Sequence, residues 1–212
     1  MPRLRLLPGF IAGLIVTIVA GAALAQGASG RWWQDANSGC EIWNAAPQED
    51  DEVRWSGGCA TGRAEGKGLL VWRYRQGETW VVDRYEGEMA DGKKNGQGKL
   101  TNASGYSYEG TWKNGALNGQ GIVVKPNGER YEGEFEDNLP EGRGKLQLTN
   151  GAVYEGDFKS GLQDGVGRLQ LPNGIVYEGG WQAGAKHGKG ICRSKNGEDL
   201  PCCWEGDRAV EC

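Results

Sequence analysis

Residues 131–153 read YEGEFEDNLPEGRGKLQLTNGAV, and the same phrase opens with Tyr-Glu-Gly at Tyr85, Tyr108, Tyr131, Tyr154 and Tyr177, 23 residues apart each time. A bulky apolar residue holds the fifth position of each copy: Met89, Trp112, Phe135, Phe158 and Trp181. A turn ending in Gly-x-Gly follows, as at Gly142 and Gly144. A second turn then comes, of the type Pro126-Asn127-Gly128. Self-similarity at a fixed short period predicts a repeat array, in which each unit buries its apolar face on its neighbours.

Each copy reads as two strands. Alternation puts Tyr131, Gly133 and Phe135 on one face of the first strand and Glu132 and Glu134 on the other. The second strand carries an aliphatic column at Leu100, Val123, Leu146, Leu169 and Cys192. The eighth position is Gly92, Gly115, Asn138, Gly161 or Gly184, a choice that marks a left-handed backbone. The Pro-Asn-Gly turn suits a three-residue hairpin loop. No stretch beyond residue 25 has helical periodicity. The expected fold is all-β: an elongated single-layer antiparallel meander of tandem 23-residue hairpins. Glycine makes up 38 of 212 residues, and its fixed phase makes it punctuation for that fold rather than low complexity.

Outward from the array, residues 55–84 form a degenerate copy in which Trp55-Ser56-Gly57 stands for Tyr-Glu-Gly. Tyr85 follows Trp55 by 30 residues, which implies a seven-residue insertion in the hairpin around Gln76 to Asp83. Five regular copies occupy 85–203. A terminal half-copy at 204–212 is read from Trp204-Glu205-Gly206, which implies four extra residues in the last hairpin. Residues 26–54 serve as leader and cap, with an acidic loop at Gln48 to Glu52 read as solvated. Residues 1–25 read as a cleaved export signal. Arg3 and Arg5 precede an uncharged apolar run from Phe10 to Leu24, and Ala23-Leu24-Ala25 is a small-x-small cleavage site. The run is short for a membrane-spanning helix. Export leaves the protein periplasmic or secreted.

The repeat unit resembles the MORN repeat (membrane occupation and recognition nexus), as Tyr108-Glu109-Gly110-Thr111-Trp112 and Tyr154-Glu155-Gly156-Asp157-Phe158 show. The resemblance covers about residues 55–206. It implies a twisted single-layer meander and a role in scaffolding, protein contact or self-association. It also brings lipid binding into view, which the charge does not favour. Without Arg3 and Arg5 the exported chain has 22 basic against 28 acidic residues. That balance disfavours nucleic acid and anionic membranes as partners.

All six cysteines lie in the exported part, which reads as a disulfide framework. Cys40 and Cys59 are expected to pair at the N-terminal end. Cys192, Cys202, Cys203 and Cys212 allow three pairings; shared faces favour Cys192–Cys202 with Cys203–Cys212. There is no C-x-x-C, and the single histidine, His187, reads as a solvated turn residue, so no metal or cofactor is expected. No nucleophile sits in G-x-S-x-G, and the Gly-rich turns lead into strands rather than helices, which excludes a phosphate loop. The column Glu86, Glu109, Glu132, Glu155 and Glu178 reads as a solvated face. A non-enzymatic binding module is expected. The aromatic columns (Tyr108, Trp112, Tyr131, Phe135, Tyr154, Phe158, Tyr177 and Trp181) form either the core or, where open, a groove for a peptide, glycan, lipid or partner strand.

Overall fold

The computed structural model describes residues 30–48 and 50–212. The export signal read at 1–25 lies outside the described residues. Sixteen strands follow in order: β1 (Arg31–Gln34), β2 (Glu41–Asn44), β3 (Glu52–Trp55), β4 (Gly66–Gln76), β5 (Thr79–Ala90), β6 (Lys93–Thr101), β7 (Ser107–Lys113), β8 (Ala116–Val124), β9 (Arg130–Glu136), β10 (Leu139–Gln147), β11 (Val153–Lys159), β12 (Leu162–Gln170), β13 (Val176–Gln182), β14 (Ala185–Arg193), β15 (Asp199–Glu205) and β16 (Arg208–Val210). Strands β3 to β16 form one open antiparallel sheet in sequence order, and β1–β2 is a separate hairpin. The sheet is the single-layer meander that the 23-residue period predicts.

One turn and one bulge fix the meander. At the first turn of the third regular repeat both central residues are left-handed, Asp137 at φ 44° and Asn138 at φ 72°. This two-residue geometry matches the right-handed twist of the strands it joins. The Gly-x-Gly element is a bulge inside the second strand rather than part of a turn. The β9–β10 register slips between Pro140 and Gly144, and Gly142 sits there at φ 66°. Such a bulge bends its strand. It also leaves the carbonyl of the fourth repeat position outside the ladder, and the repeat tyrosine captures it: Tyr131 Oη donates to Glu134 O at 2.9 Å. Tyr85, Tyr108, Tyr154 and Tyr177 make the same bond to Glu88, Thr111, Asp157 and Gly180.

The Tyr131 ring lies over the glycine pair Gly133 and Gly144, which face each other across β9 and β10. Tyr108, Tyr131, Tyr154 and Tyr177 each then meet two aromatic neighbours edge-on, and Tyr85, whose own repeat has Met89, meets one. Tyr131 packs against Phe135 and against Phe158 of the next repeat, both at 5.0 Å between centroids. The contacts continue without a break from Tyr85 to Trp204. T-shaped pairs of this kind contribute about 0.5–1.5 kcal/mol each beyond their buried area. The inner face of the sheet is thus a ladder of rings.

A second column closes the ladder from above. The tenth residue of each repeat is Lys94, Leu117, Pro140, Gln163 or Lys186. Its carbonyl accepts the eighth-position N–H of the following repeat, as in Asn138 N to Leu117 O at 3.0 Å. Leu117, Pro140 and Gln163 are buried, and Lys94 and Lys186 lie over the rings at the two ends.

The two array ends depart from the regular unit in different ways. At the N-terminal end Trp55 faces Leu70 as Tyr131 faces Leu146. The insertion lengthens the β4–β5 hairpin, which runs in register out to Gln76 and Thr79. At the C-terminal end no residues are inserted. Gly188 faces Trp204 as Gly165 faces Trp181, and Cys192 faces Leu200 as Leu169 faces Tyr177. Leu200 therefore holds the tyrosine phase, 23 residues after Tyr177, and the half-copy begins there rather than at Trp204. The missing ring hides it from sequence reading.

The N-terminal cap is pinned by one carboxylate. Asp35 Oδ2 accepts Trp55 N at 2.9 Å and Oδ1 accepts Asn37 N at 2.8 Å. Burial pushes the Asp35 carboxyl up, but these backbone donors outweigh it and hold it below the ordinary 3.8. A lowered folded-state pKa gives stabilisation that is complete above 3.8 and lost as pH falls through the folded value. Asp35→Ala strips a buried N–H of its acceptor and is expected to cost about 1–3 kcal/mol at neutral pH. Thermal unfolding should show that loss, and the gap to the wild type should narrow in acid. The acidic loop read as solvated also turns inward: Asp51 is buried, and its Oδ2 accepts Asn44 Nδ2 and Gln48 N.

Candidate interaction surface

The aromatic residues singled out in sequence as a possible groove are interior. Tyr108, Trp112, Tyr131, Phe135, Tyr154, Phe158, Tyr177 and Trp181 are each 0–7% exposed. The tenth-position column and the bend at each bulge close the face that would have been the groove. Burial raises the hydroxyl pKa of Tyr85, Tyr108, Tyr131, Tyr154 and Tyr177 above the ordinary phenol value. These groups stay neutral and donate to the bulge carbonyls.

The six cysteines form three disulfides: Cys40–Cys59, Cys192–Cys202 and Cys203–Cys212. The first ties the cap to the segment after β3. The other two lie on opposite faces of β15. Cys202 stands at the glycine position of the terminal copy and bonds to the aliphatic column. Cys203 points outward and holds the end of the chain beside β15. Closing loops of 9 to 19 residues removes roughly 3 kcal/mol of unfolded-state freedom each in the chain-entropy account.

The outer face carries the charge columns. Lys99 pairs with Glu109 at 3.1 Å and Arg143 with Asp157 at 3.1 Å, all four exposed or nearly so. Exposed pairs like these add little stability. Toward the C-terminal end that face changes character. Val166, where earlier repeats have Gln97, Gln120 and Arg143, is 59% exposed. Ile191, in the column of Lys99, Ile122, Lys145 and Arg168, is 44% exposed and faces Pro201. Val210, also exposed, faces Cys203. Val166 itself faces Gly180, which has no side chain to cover it. The register thus gathers a short apolar strip of Ile191, Pro201 and Val210, bounded by Glu178 opposite Ile191, with Val166 set apart on β12. His187 is exposed beside it. The five column glutamates are exposed and spread along the sheet.

The N-terminal end of the inner face holds a polar group that sequence reading missed. Asp83 faces Trp72 across β4 and β5. It accepts Ala103 N at 3.1 Å, with Tyr74 Oη at 3.5 Å. Lys94 Nζ lies over the Tyr85 and Trp112 rings at 5.8 and 5.2 Å. Burial pushes the Asp83 carboxyl up and the Lys94 ammonium down, each partly opposed by the other's charge.

The model of the MORN repeat family matches residues 85–105, 108–130, 131–153, 154–176 and 177–198. The chain belongs to the MORN-repeat family. The matched stretches are the five tyrosine-led hairpins, and the Trp55 and Leu200 units lie outside them. No curated protein matches the sequence. Among solved structures, the SAS-4 (dCPAP) TCP domain in complex with a proline-rich motif of Ana2 (dSTIL) of Drosophila melanogaster aligns with a TM-score of 0.37 at 14% identity. That alignment covers 70% of this chain and 88% of that one. At that score the likeness carries no argument.

Proposed function

We propose that the protein is an exported, non-enzymatic MORN-repeat module that binds a protein partner through the C-terminal end of its outer face. The observation that carries this reading is the strip of Ile191, Pro201 and Val210, with Val166 exposed on the same face two strands away. Exposed apolar side chains grouped on an otherwise charged surface mark contact sites. The strip sits on the disulfide-held end of a long sheet, so a partner bound there meets a preformed surface and loses little chain freedom on binding. Export is our reading of the sequence of residues 1–25, supported by three disulfides that suit an oxidising compartment. The cell envelope is the setting in which we place the scaffold.

Cross-linking in intact envelopes tests the reading. A stoichiometric protein adduct is expected, on a chain whose mass begins at Gln26. The double variant Val166→Glu/Ile191→Glu should lose the adduct while its circular dichroism melt stays within about 0.5 kcal/mol of the wild type, because both positions are solvent-facing. An adduct undiminished in the variant would place the contact elsewhere. An adduct of two copies of the chain would make the strip a self-association surface.

A further inference from the structure

We propose that the free edge of β5 at Trp80 and Val82 takes an added strand, an extended and carboxylate-bearing segment of a protein partner. The inference concerns the N-terminal end of the sheet and does not depend on the contact proposed at the C-terminal end.

Its starting point is the insertion in the first hairpin. β4 and β5 stay paired out to Gln76 and Thr79, but the strands on either side stop short. β3 pairs with β4 only as far as Arg73, and β6 pairs with β5 only as far as Arg84. Beyond those points the hairpin is a two-stranded arm, with no further strand beside it among the described residues. Its loop is Gly77-Glu78, with Gly77 at φ 64°. Two-residue loops of this kind close on a hydrogen-bonded pair, here Gln76 and Thr79. Bonded and non-bonded pairs alternate from there, and the β4–β5 register has no slip. Arg75 with Trp80 and Arg73 with Val82 are therefore non-bonded pairs. Trp80 and Val82 turn their N–H and C=O groups away from β4, to the side that β6 does not reach.

This edge lacks the usual protection. Thr79-Trp80-Val81-Val82 contains no proline, glycine or charge, and all four residues favour strands. An unpaired edge of that kind recruits another strand, and proteins ordinarily blunt it. The same chain does so at its other end. There Pro201 lacks a donor within β15, and the Cys203–Cys212 disulfide holds β16 beside that strand. One edge is guarded and the other, on an arm that the regular repeats do without, is left open.

The side chains select the segment. On the outer face the guanidinium groups of Arg73 and Arg75 lie over the Trp80 ring at 4.4 and 5.1 Å. Exposed Arg84 continues that face beyond half-buried Val82. Glu52 and Asp50 approach Arg73 and Arg75 only at 3.5 and 3.8 Å, in exposed pairs that contribute little. The result is a basic and apolar surface on a chain with more acidic than basic residues. A strand laid beside β5 sets alternate side chains next to Trp80, Val82 and Arg84, so apolar residues with a carboxylate among them fit it. A second copy of this arm fits poorly, because edge-to-edge pairing about a two-fold axis would bring two sets of arginines together. An anionic glycan or lipid would meet the arginines but not the backbone groups, which repeat at strand spacing.

Fluorescence anisotropy of a labelled, end-blocked peptide, Val-Glu-Val-Glu-Val-Thr, with the full, disulfide-bonded chain tests this. Saturable binding below millimolar concentration is expected, and amide hydrogen exchange should slow at Trp80 and Val82 when the peptide is bound. Two further peptides carry N-methyl groups on one or the other set of alternate amides. One of them should bind about tenfold more weakly, because it lacks the donors that face β5. A peptide with Lys in place of Glu should also bind about tenfold more weakly. Val82→Pro removes a free donor, leaves the bonds to β4 in place, and should weaken binding about tenfold with the melting temperature unchanged. If that variant melts early, the methylated peptides on the wild-type chain decide. The proposal is overturned if the acidic peptide does not bind, if both methylated peptides bind as the parent does, or if the lysine peptide binds as tightly. A dimer of the protein alone that Val82→Pro dissolves would also overturn it, and would give the edge to a second copy.

Discussion

Gly133→Val is expected to unfold the third regular repeat, at a cost of about 3–5 kcal/mol, while Glu132→Ala one residue away costs less than about 0.5 kcal/mol. The two positions alternate between faces of the same strand, so the contrast isolates packing from strand propensity. Valine alone would favour the strand. A Cβ on Gly133 would lie 2.6 Å from both Arg143 O and Gly144 Cα and 2.7 Å from Tyr131 Oη. Two of those neighbours are backbone and cannot swing aside. The Tyr131 ring would lift, break its bond to Glu134 O and lose its edge contacts to Phe135 and Phe158. Because the rings form one ladder, the damage passes to the flanking repeats. Chemical denaturation with a probe in each half of the sheet would measure it. Equal and small effects of the two substitutions would mean that the glycine pair does not seat the ring.

The fold was legible because three kinds of position permit one chemistry each. The tyrosine must reach a bulge carbonyl, the glycines beneath it must have no side chain, and the turn residues must accept a left-handed backbone. Such positions repeat with little variation, so their 23-residue phase shows in the letters. The column of Lys94, Leu117, Pro140, Gln163 and Lys186 did not show. Its shared task is a backbone carbonyl and a covering surface, which lysine, leucine, proline and glutamine can each supply. The terminal copy was misplaced for a related reason. Leu200 keeps the register without the ring, and Trp204-Glu205-Gly206 imitates the start of a repeat. The aromatic columns were visible, but alternation alone leaves open whether the face they share is core or groove. The bend at each bulge decides that, and a bulge is read from register rather than from residue type. Ile191 and Pro201 stand at different positions of different repeats, and only strand pairing joins them in one strip.

Alkaline pH is expected to unfold the whole array in one transition. Burial raises the hydroxyl pKa of Tyr85, Tyr108, Tyr131, Tyr154 and Tyr177, and of Tyr106 to about 12. The ordinary value is 10.0. For a phenol, a raised folded-state pKa means that folding favours the protonated form. The resulting stabilisation is complete below 10.0 and is lost as pH rises through the folded values. Five rings in one ladder share this dependence, so a proton lost from any of them weakens its neighbours' packing. Tyr74 adds to the same trend at the N-terminal end, where burial and the charge of Asp83 raise its hydroxyl.

The measurement that bears most directly on the ring ladder as the protein's core is a titration from neutral pH into alkali, with tyrosinate absorbance and the β-sheet circular dichroism signal recorded on the same sample. The ladder predicts that the repeat tyrosines ionise late and together, in step with loss of the sheet signal. Ionisation of all the tyrosines near the ordinary phenol value, with the sheet signal intact, would mean that the rings face water and that the interior described above is wrong.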